Sequence, residues 1–250
     1  MITKERTVKP LEWPAVEPVE ARPDASSTAP ARDTGADVYG VPCSRPGYVV
    51  AKRILDIPLA VLALLLAAPV MLMVALLIRL RSPGPVLFKH MRLGRNGELF
   101  GCLKFRTMHV DAEQRLRGDP ELWAEFVANG YKLHPDPRVI PLGAFLRKSS
   151  LDELPQLLNV LKGEMSLVGP RPIIEPELTE YGDRAEVFLT ALPGMTGRWQ
   201  ASGDEQVAYP GRTDVELGYI YDWSLWEDLK ILCRTVPVVL RACASRFVRA

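Results

Sequence analysis

The amino-acid sequence predicts an α+β, membrane-associated fold: a re-entrant helix-break-helix membrane hairpin, a small β-hairpin, and amphipathic interfacial helices around one compact domain. Three observations predict it. Ile57 to Ile78 runs for 22 residues without a charge, is interrupted by Pro69, and is flanked by basic residues at both ends. Asn96-Gly97 joins two short strand-like runs. Leu154, Leu157, Leu158 and Leu161 then recur at helical spacing.

Bulk composition narrows the class. A chain of 250 residues that is 48% hydrophobic can bury one ordinary core. Its 31 basic and 30 acidic residues leave a formal charge of +1, which gives no argument for nucleic acid. Cys43, Cys102, Cys233 and Cys243 are far apart, with no C-x-x-C pair, and argue against zinc and a disulfide framework. His90, His109 and His134 are scattered, and neither a P-loop nor a G-x-G-x-x-G is present.

Residues 1–47 are rich in Pro, Ala, Ser, Asp and Arg and carry no apolar period, so a disordered tail is expected there. Residues 48–82 hold the apolar segment. Its length suffices to span a bilayer, but Pro69 removes a hydrogen bond near its middle. The basic residues Lys52, Arg53, Arg79 and Arg81 also cancel the charge asymmetry that orients a spanning helix. Split at Pro69, the halves reach roughly 18 and 15 Å, short of a hydrocarbon core of about 30 Å. A hairpin entering and leaving on one face satisfies both observations; a kinked spanning helix is the alternative.

Residues 83–250 read as the main domain. Val86–His90 and Glu98–Phe105 flank Arg95-Asn96-Gly97, and Asn-Gly is a strong hairpin signal. Asp111 to Ala128 reads as a polar helix and Pro135 to Pro141 as a turn. The leucine stripe predicts a helix ending at Gly163. Trp223 to Val239 is amphipathic, with Trp223 and Trp226 suited to a headgroup boundary and Arg234, Arg241, Arg246 and Arg249 to an anionic leaflet.

Ser150-Leu-Asp152-Glu153 precedes the leucine stripe. Its plain reading is an S-x-x-E capping box, since acids favour the first turn of a helix. Yet Arg138, Arg147 and Lys148 lie before it, and Lys162 and Arg171 after it. Two neighbouring carboxylates among several cations suit a magnesium-bound diphosphate better than a bare cap.

Seven motifs follow one another along the chain: Lys52-Arg-Ile-Leu-Asp56, Arg81-Ser-Pro-Gly-Pro85, Lys104-Phe-Arg-Thr-Met108, Asp136-Pro-Arg138, Leu146 to Gln156, Asn159 to Pro172, and Pro193-Gly-Met-Thr-Gly197. In this order they resemble the bacterial sugar transferase family, the monotopic polyprenyl-phosphate phosphoglycosyltransferases, over roughly residues 48 to 245.

The resemblance implies a membrane helix broken at Pro69 and a catalytic domain on the cytoplasmic face of the bacterial inner membrane. It implies that Asp152 is a nucleophile towards a UDP-sugar, that UMP is released, and that the sugar-1-phosphate passes to undecaprenyl (polyprenyl) phosphate to initiate an exopolysaccharide or related surface glycan. Glu153 is implied to hold Mg²⁺ with Asp152 or to assist the incoming phosphate, and Lys104, Arg147, Pro170 and Arg171 to line the substrate site. Partners would be the donor, the lipid phosphate and the bilayer, with homo-oligomers or other glycan-assembly proteins left open. One departure stands out: Asp204 occupies the place of an expected arginine, and Arg198 sits at a usually apolar position. A glycosyltransferase that keeps the phosphate on the nucleotide fits less well, because no Asp-x-Asp motif is present. A catalytically silent scaffold would not need the Asp152-Glu153 pair.

Overall fold

A computed structural model describes residues 39–128, 133, 135–203 and 209–247, with side chains as far as residue 238. Expectations for residues 1–38, for His134 and Asp204, and for the side chains of Arg241, Cys243, Arg246 and Arg249 lie outside the described residues. The described residues belong to one unit that begins at Gly35. Folded chain starts before the expected boundary at 47, since Val41 and Cys43 are buried in the main core.

Helix α1 (Tyr48–Arg81) is the one described helix long and apolar enough to cross a membrane. Helical backbone runs through Pro58 and Pro69, although the sequence reading expected two halves. A single missing N–H loosens one turn without ending the helix, since Leu65 to Ala68 before Pro69 and Met71 to Met73 after it are strong helix formers. One stripe of α1 packs inward towards both ends, with no buried residue between Ala60 and Val74. Tyr48 and Ala60 join the main core, while Val74 and Ile78 form a second cluster with Phe105 and Leu146. The opposite stripe, including Ile54, Leu62, Leu65, Leu66, Leu72, Met73, Leu76 and Leu80, is exposed.

The polar residues at the ends of α1 explain the first two motifs. Lys52 is fully buried, and its Nζ donates to Asp228 Oδ2 at 2.8 Å and to the Val168 carbonyl at 2.6 Å. Asp56 accepts from the Leu167 N–H at 3.0 Å. Arg53 donates to the carbonyls of Val160 and Leu161 in the last turn of α5 (Gln156–Lys162). At the other end Arg106 clamps the chain leaving α1 by donating to the carbonyls of Ser82 and Pro83, both at 2.7 Å. An unpaired buried charge here would cost several kcal/mol, so both ends of α1 are fixed to one domain.

Strands β1 (Leu87–Leu93) and β2 (Leu99–Phe105) form the expected antiparallel hairpin, with Leu93 opposite Leu99 and Leu87 opposite Phe105. Asn96 and Gly97 both have positive φ, 57° and 76°, the twist that suits a hairpin turn. The outer edge of β2 is closed by Asn159 of α5: its Oδ1 accepts from Leu103 N at 2.9 Å and its Nδ2 donates to the Gly101 carbonyl at 2.8 Å.

The expected helix over Asp111–Ala128 is two helices, α2 (Ala112–Gly118) and α3 (Pro120–Ala128). Pro120 ends the first, and the Asp119 carboxylate accepts from the N–H groups of Glu121 and Leu122 to start the second. Helix α4 (Pro141–Lys148) then leads into the Asp-Glu segment. Strand β3 (Ser166–Val168) pairs in parallel with β4 (Gly194–Thr196), and α6 (Ala185–Leu189) lies between them in the chain. The backbones meet so closely that a Cβ on Gly194 would stand 2.1 Å from Gly169 N. Helices α7 (Arg198–Ser202), α8 (Gly211–Tyr221) and α9 (Leu225–Phe247) complete the fold. Trp223 departs from its expected place at a headgroup boundary. Its ring meets Tyr48 edge-on at 4.7 Å and its Nε1 donates to Asp228, whereas Trp226 is exposed beside Leu225 and Leu229.

Candidate active site

The capping box read from Ser150-x-x-Glu153 does not form. Ser150 adopts left-handed backbone with φ 57° and makes no side-chain cap, and Leu151–Glu153 is a single 3-10 turn. Helix α5 begins only at Gln156, after Pro155. The leucine stripe is correspondingly displaced: Gln156, Leu157, Asn159 and Val160 are buried, while Leu158 and Leu161 are half-buried. A left-handed residue ahead of a short turn swings both carboxylates off the α5 axis, and Glu153 reaches Lys104 instead of a backbone N–H. The Lys104 Nζ to Glu153 Oε1 distance is 2.6 Å.

Around this pair the β2 strand, the 3-10 turn and the segment after β3 converge. A small cleft is lined by Arg92, Lys104, Glu153, Gln156, Arg171 and Gln200, with Cys102 and Gly194 among its other walls. Three cations against one carboxylate in its wall give the cleft an excess of positive charge, which suits an anion. Asp152 stands beside the cleft rather than in its wall and is only 8% exposed. Burial, and the negative charge of Glu153, push its carboxyl up to about 6, against a smaller pull from Lys104 and Arg147. Burial also pushes Glu153 up, but Lys104, Arg171 and Arg92 outweigh it and hold that carboxyl below its usual range. Two adjacent carboxyls are therefore driven apart by their surroundings, an arrangement typical of reaction centres.

The residues picked out in the sequence divide into those that meet and those that do not. Lys104, Glu153 and Arg171 share the cleft. Arg147 is exposed on α4, with its Nε donating to Thr107 Oγ1 at 2.9 Å, and its charge is felt by Asp152. Pro170 does not line the cleft; its carbonyl accepts from Gly194 N at 2.8 Å. Lys148 and Lys162 are exposed and lie outside it. Arg138 is closed off in a bidentate pair with Asp136, with both contacts at 2.8 Å, and stacks on Phe126. Arg198 turns away from the cleft to Asp222 and Glu227, at 3.0 and 3.2 Å. Arg198 is not among the residues that line the cleft.

Sequence reasoning missed Arg92, Gln156 and Gln200. Arg92 lies on a strand between exposed Met91 and buried Leu93, and only the β1–β2 register, with Arg92 opposite Phe100, His90 opposite Cys102 and Phe88 opposite Lys104, sets it on the same sheet face as Lys104. Its guanidinium reaches Glu177 Oε2 at 3.3 Å and His90 Nδ1 at 3.2 Å.

A divalent cation can be tested against these groups. Among the described residues no three His, Cys, Asp or Glu side chains gather in one place. Asp152 and Glu153 nevertheless supply the one or two carboxylates with which Mg²⁺ is commonly held when substrate phosphates and water complete its shell.

Comparison with known proteins places the chain in a family. The family described as bacterial sugar transferase matches residues 47–242. The chain is 48% identical over 195 residues to an uncharacterized sugar transferase of Haemophilus influenzae, covering 76% of this chain and 41% of that one. It is 46% identical over 194 residues to the undecaprenyl-phosphate galactose phosphotransferase of Salmonella typhimurium, covering 76% and 40%. Identity to the exopolysaccharide production protein ExoY of Rhizobium meliloti is 46% over 206 residues, covering 81% and 89%. The chain thus spans about two fifths of the first two relatives and nearly all of the third. With its motifs in the same order and its matched region reaching from the start of α1 into α9, the chain belongs to the bacterial sugar transferase family.

Proposed function

We propose that this protein transfers a sugar-1-phosphate from a UDP-sugar to undecaprenyl phosphate, releasing UMP, at the cytoplasmic face of the bacterial inner membrane, as the first step of an exopolysaccharide or related surface glycan. The observation that carries this reading is a buried carboxylate, Asp152, beside a cleft walled by Lys104, Arg171 and Arg92.

In the first half-reaction an oxygen of ionised Asp152 attacks the sugar-bearing phosphorus of the donor. The bridging P–O bond breaks, UMP leaves with the electron pair, and a phosphosugar stands on Asp152 as an acyl phosphate. An oxygen of the polyprenyl phosphate then attacks the same phosphorus, the bond to Asp152 breaks, and the carboxylate is restored. Lys104, Arg171 and Arg92 neutralise phosphate oxygens, and Arg147 supports the ionised form of Asp152. Asp152 and Glu153 would hold Mg²⁺, whose chemistry when bound is to offset charge on the diphosphate oxygens. With a carboxyl at about 6, roughly nine tenths of Asp152 is ionised at neutral pH, yet it is desolvated and so more nucleophilic than a carboxylate in water.

Attachment of both ends of α1 to one domain supports a re-entrant path. Lys52 is tied to Asp228, and the chain after Arg81 is clamped by Arg106. A domain outside the bilayer cannot hold both ends of a helix that crosses it. The exposed stripe of α1, continued by Leu225, Trp226 and Leu229 on α9, offers the apolar surface that would face lipid.

Purified protein given a panel of UDP-sugars and undecaprenyl phosphate should release UMP and not UDP. Mass spectrometry before lipid is added should find one phosphosugar on the peptide carrying Asp152. UDP as the product, or full turnover by Asp152→Asn, defeats the proposal.

A further inference from the structure

The cleft's Arg171 sits between Pro170 and Pro172, neither of which has a backbone N–H. The Arg171 N–H is therefore the only backbone donor in the three-residue segment. It does not join a sheet. It donates to Glu216 Oε1 of α8 at 3.1 Å, 45 residues along the chain. The flanking carbonyls are held separately, that of Pro170 by Gly194 N at 2.8 Å and that of Pro172 by Arg92 Nη1 at 3.4 Å.

Glu216 is 2% exposed and is itself fixed on every side. The same Oε1 accepts from Arg212 Nε at 3.3 Å, and Oε2 accepts from the Tyr181 hydroxyl. Arg212 is in turn pressed between two rings, 4.7 Å from the Trp199 centroid and 4.9 Å from that of Tyr209. Arg171 lies 6.0 Å from the same Trp199 ring. A buried carboxylate locked by an arginine and a tyrosine thus grips the backbone of a residue whose side chain faces the cleft. Glu216 does not line the cleft.

We infer that Glu216 is a positioning residue for the transfer reaction, acting on the substrate phosphates only through Arg171. This rests on the transferase reading above. A strand neighbour would set the direction of Arg171 by repeated ladder bonds; here its own N–H has one side chain for a partner, while the carbonyls of the two flanking prolines are held by Gly194 N and Arg92 Nη1. Displacing a charge of this kind by about 1 Å can cost roughly a hundredfold in rate.

The test is a double-mutant cycle on the full-length protein in lipid nanodiscs, reading kcat/KM for the UDP-sugar from UMP release. Glu216→Ala should lower it by about 10- to 100-fold, and Glu216→Gln, which keeps an oxygen acceptor, should restore most of the loss. In an Arg171→Ala background, Glu216→Ala should cost less than about twofold more. If the two losses multiply instead, Glu216 acts on the fold at large and the inference is overturned. Tyr181→Phe frees one side of the carboxylate while leaving the core filled. Should Glu216→Ala fail to fold, Tyr181→Phe should show a loss of a few-fold that vanishes on the Arg171→Ala background, and a loss undiminished there also overturns the inference. Failure of the transferase reading would look different, because the unaltered protein would then release no UMP.

Discussion

Changing Glu153 to glutamine should move the pH dependence of the first half-reaction in a direction set by the structure. Asp152 has to be ionised to attack, and its carboxyl stands at about 6 because it is buried and faces the charge of Glu153. Two charges about 6 Å apart at an effective dielectric near 20 interact by about 2.8 kcal/mol. Glu153 is 29% exposed, so screening leaves about half of that, or about one tenfold step in proton affinity. Losing Glu153 also releases Lys104, now held to it at 2.6 Å, whose free ammonium pulls the same way. Both effects favour the ionised form. The acid limb of kcat/KM for the donor should therefore fall from about pH 6 towards about pH 5, whatever happens to the plateau. The donor kcat/KM is the right quantity, since in a ping-pong reaction it excludes the lipid phosphate, which itself titrates near pH 6. UMP release measured from about pH 4.5 to 8 decides it. An acid limb that stays in place, or rises, would refute the assignment of Asp152 as the group that must ionise.

Three further outcomes follow from the same geometry. Asp152→Asn should abolish adduct formation yet stabilise the fold at pH 7.5 by on the order of 1–3 kcal/mol, because a carboxyl raised from 3.8 to about 6 destabilises the folded state once it ionises. The gain should disappear below about pH 4, where both states are protonated, and thermal melts at the two pH values read it; a lower Tm at pH 7.5 contradicts the burial cost. Cysteines placed at the exposed positions Val50 and Arg81, with Cys233 and Cys243 replaced, should both react with an impermeant maleimide from the same side of sealed vesicles. Labelling from opposite sides rules out the re-entrant path. Gly194→Ala should fail to give a protease-resistant domain, because its Cβ would stand 2.1 Å from Gly169 N and 2.4 Å from Thr196 O, where only backbone could give way. A soluble, resistant variant would show that β3 and β4 need not touch.

Local chemistry was legible in the sequence. The 22-residue uncharged run could only be a helix in contact with lipid or core, the Asn96-Gly97 pair required positive φ, and the helix before Gly163 ends where its φ of 86° demands glycine. The motif order identified the family; Asp152, Glu153 and Arg171 stood out among neighbouring charges in the sequence, and Lys104 came only with the resemblance. Tertiary structure decided what those groups touch, because partners distant in sequence leave no periodic trace. Ser150 and Glu153 had the spacing of a cap, but Lys104, 49 residues earlier, outcompetes a backbone N–H for the carboxylate. Trp223 had the look of a lipid anchor, but Tyr48 and Asp228 draw it into the core. Arg92, the segregation of Arg198 towards Asp222 and Glu227, and the grip of Glu216 on Arg171 likewise exist only once strand register and helix packing are fixed. Backbone preference is a property of each residue and its near neighbours, whereas the pairing of buried charges is settled by whichever partner the completed fold brings closest.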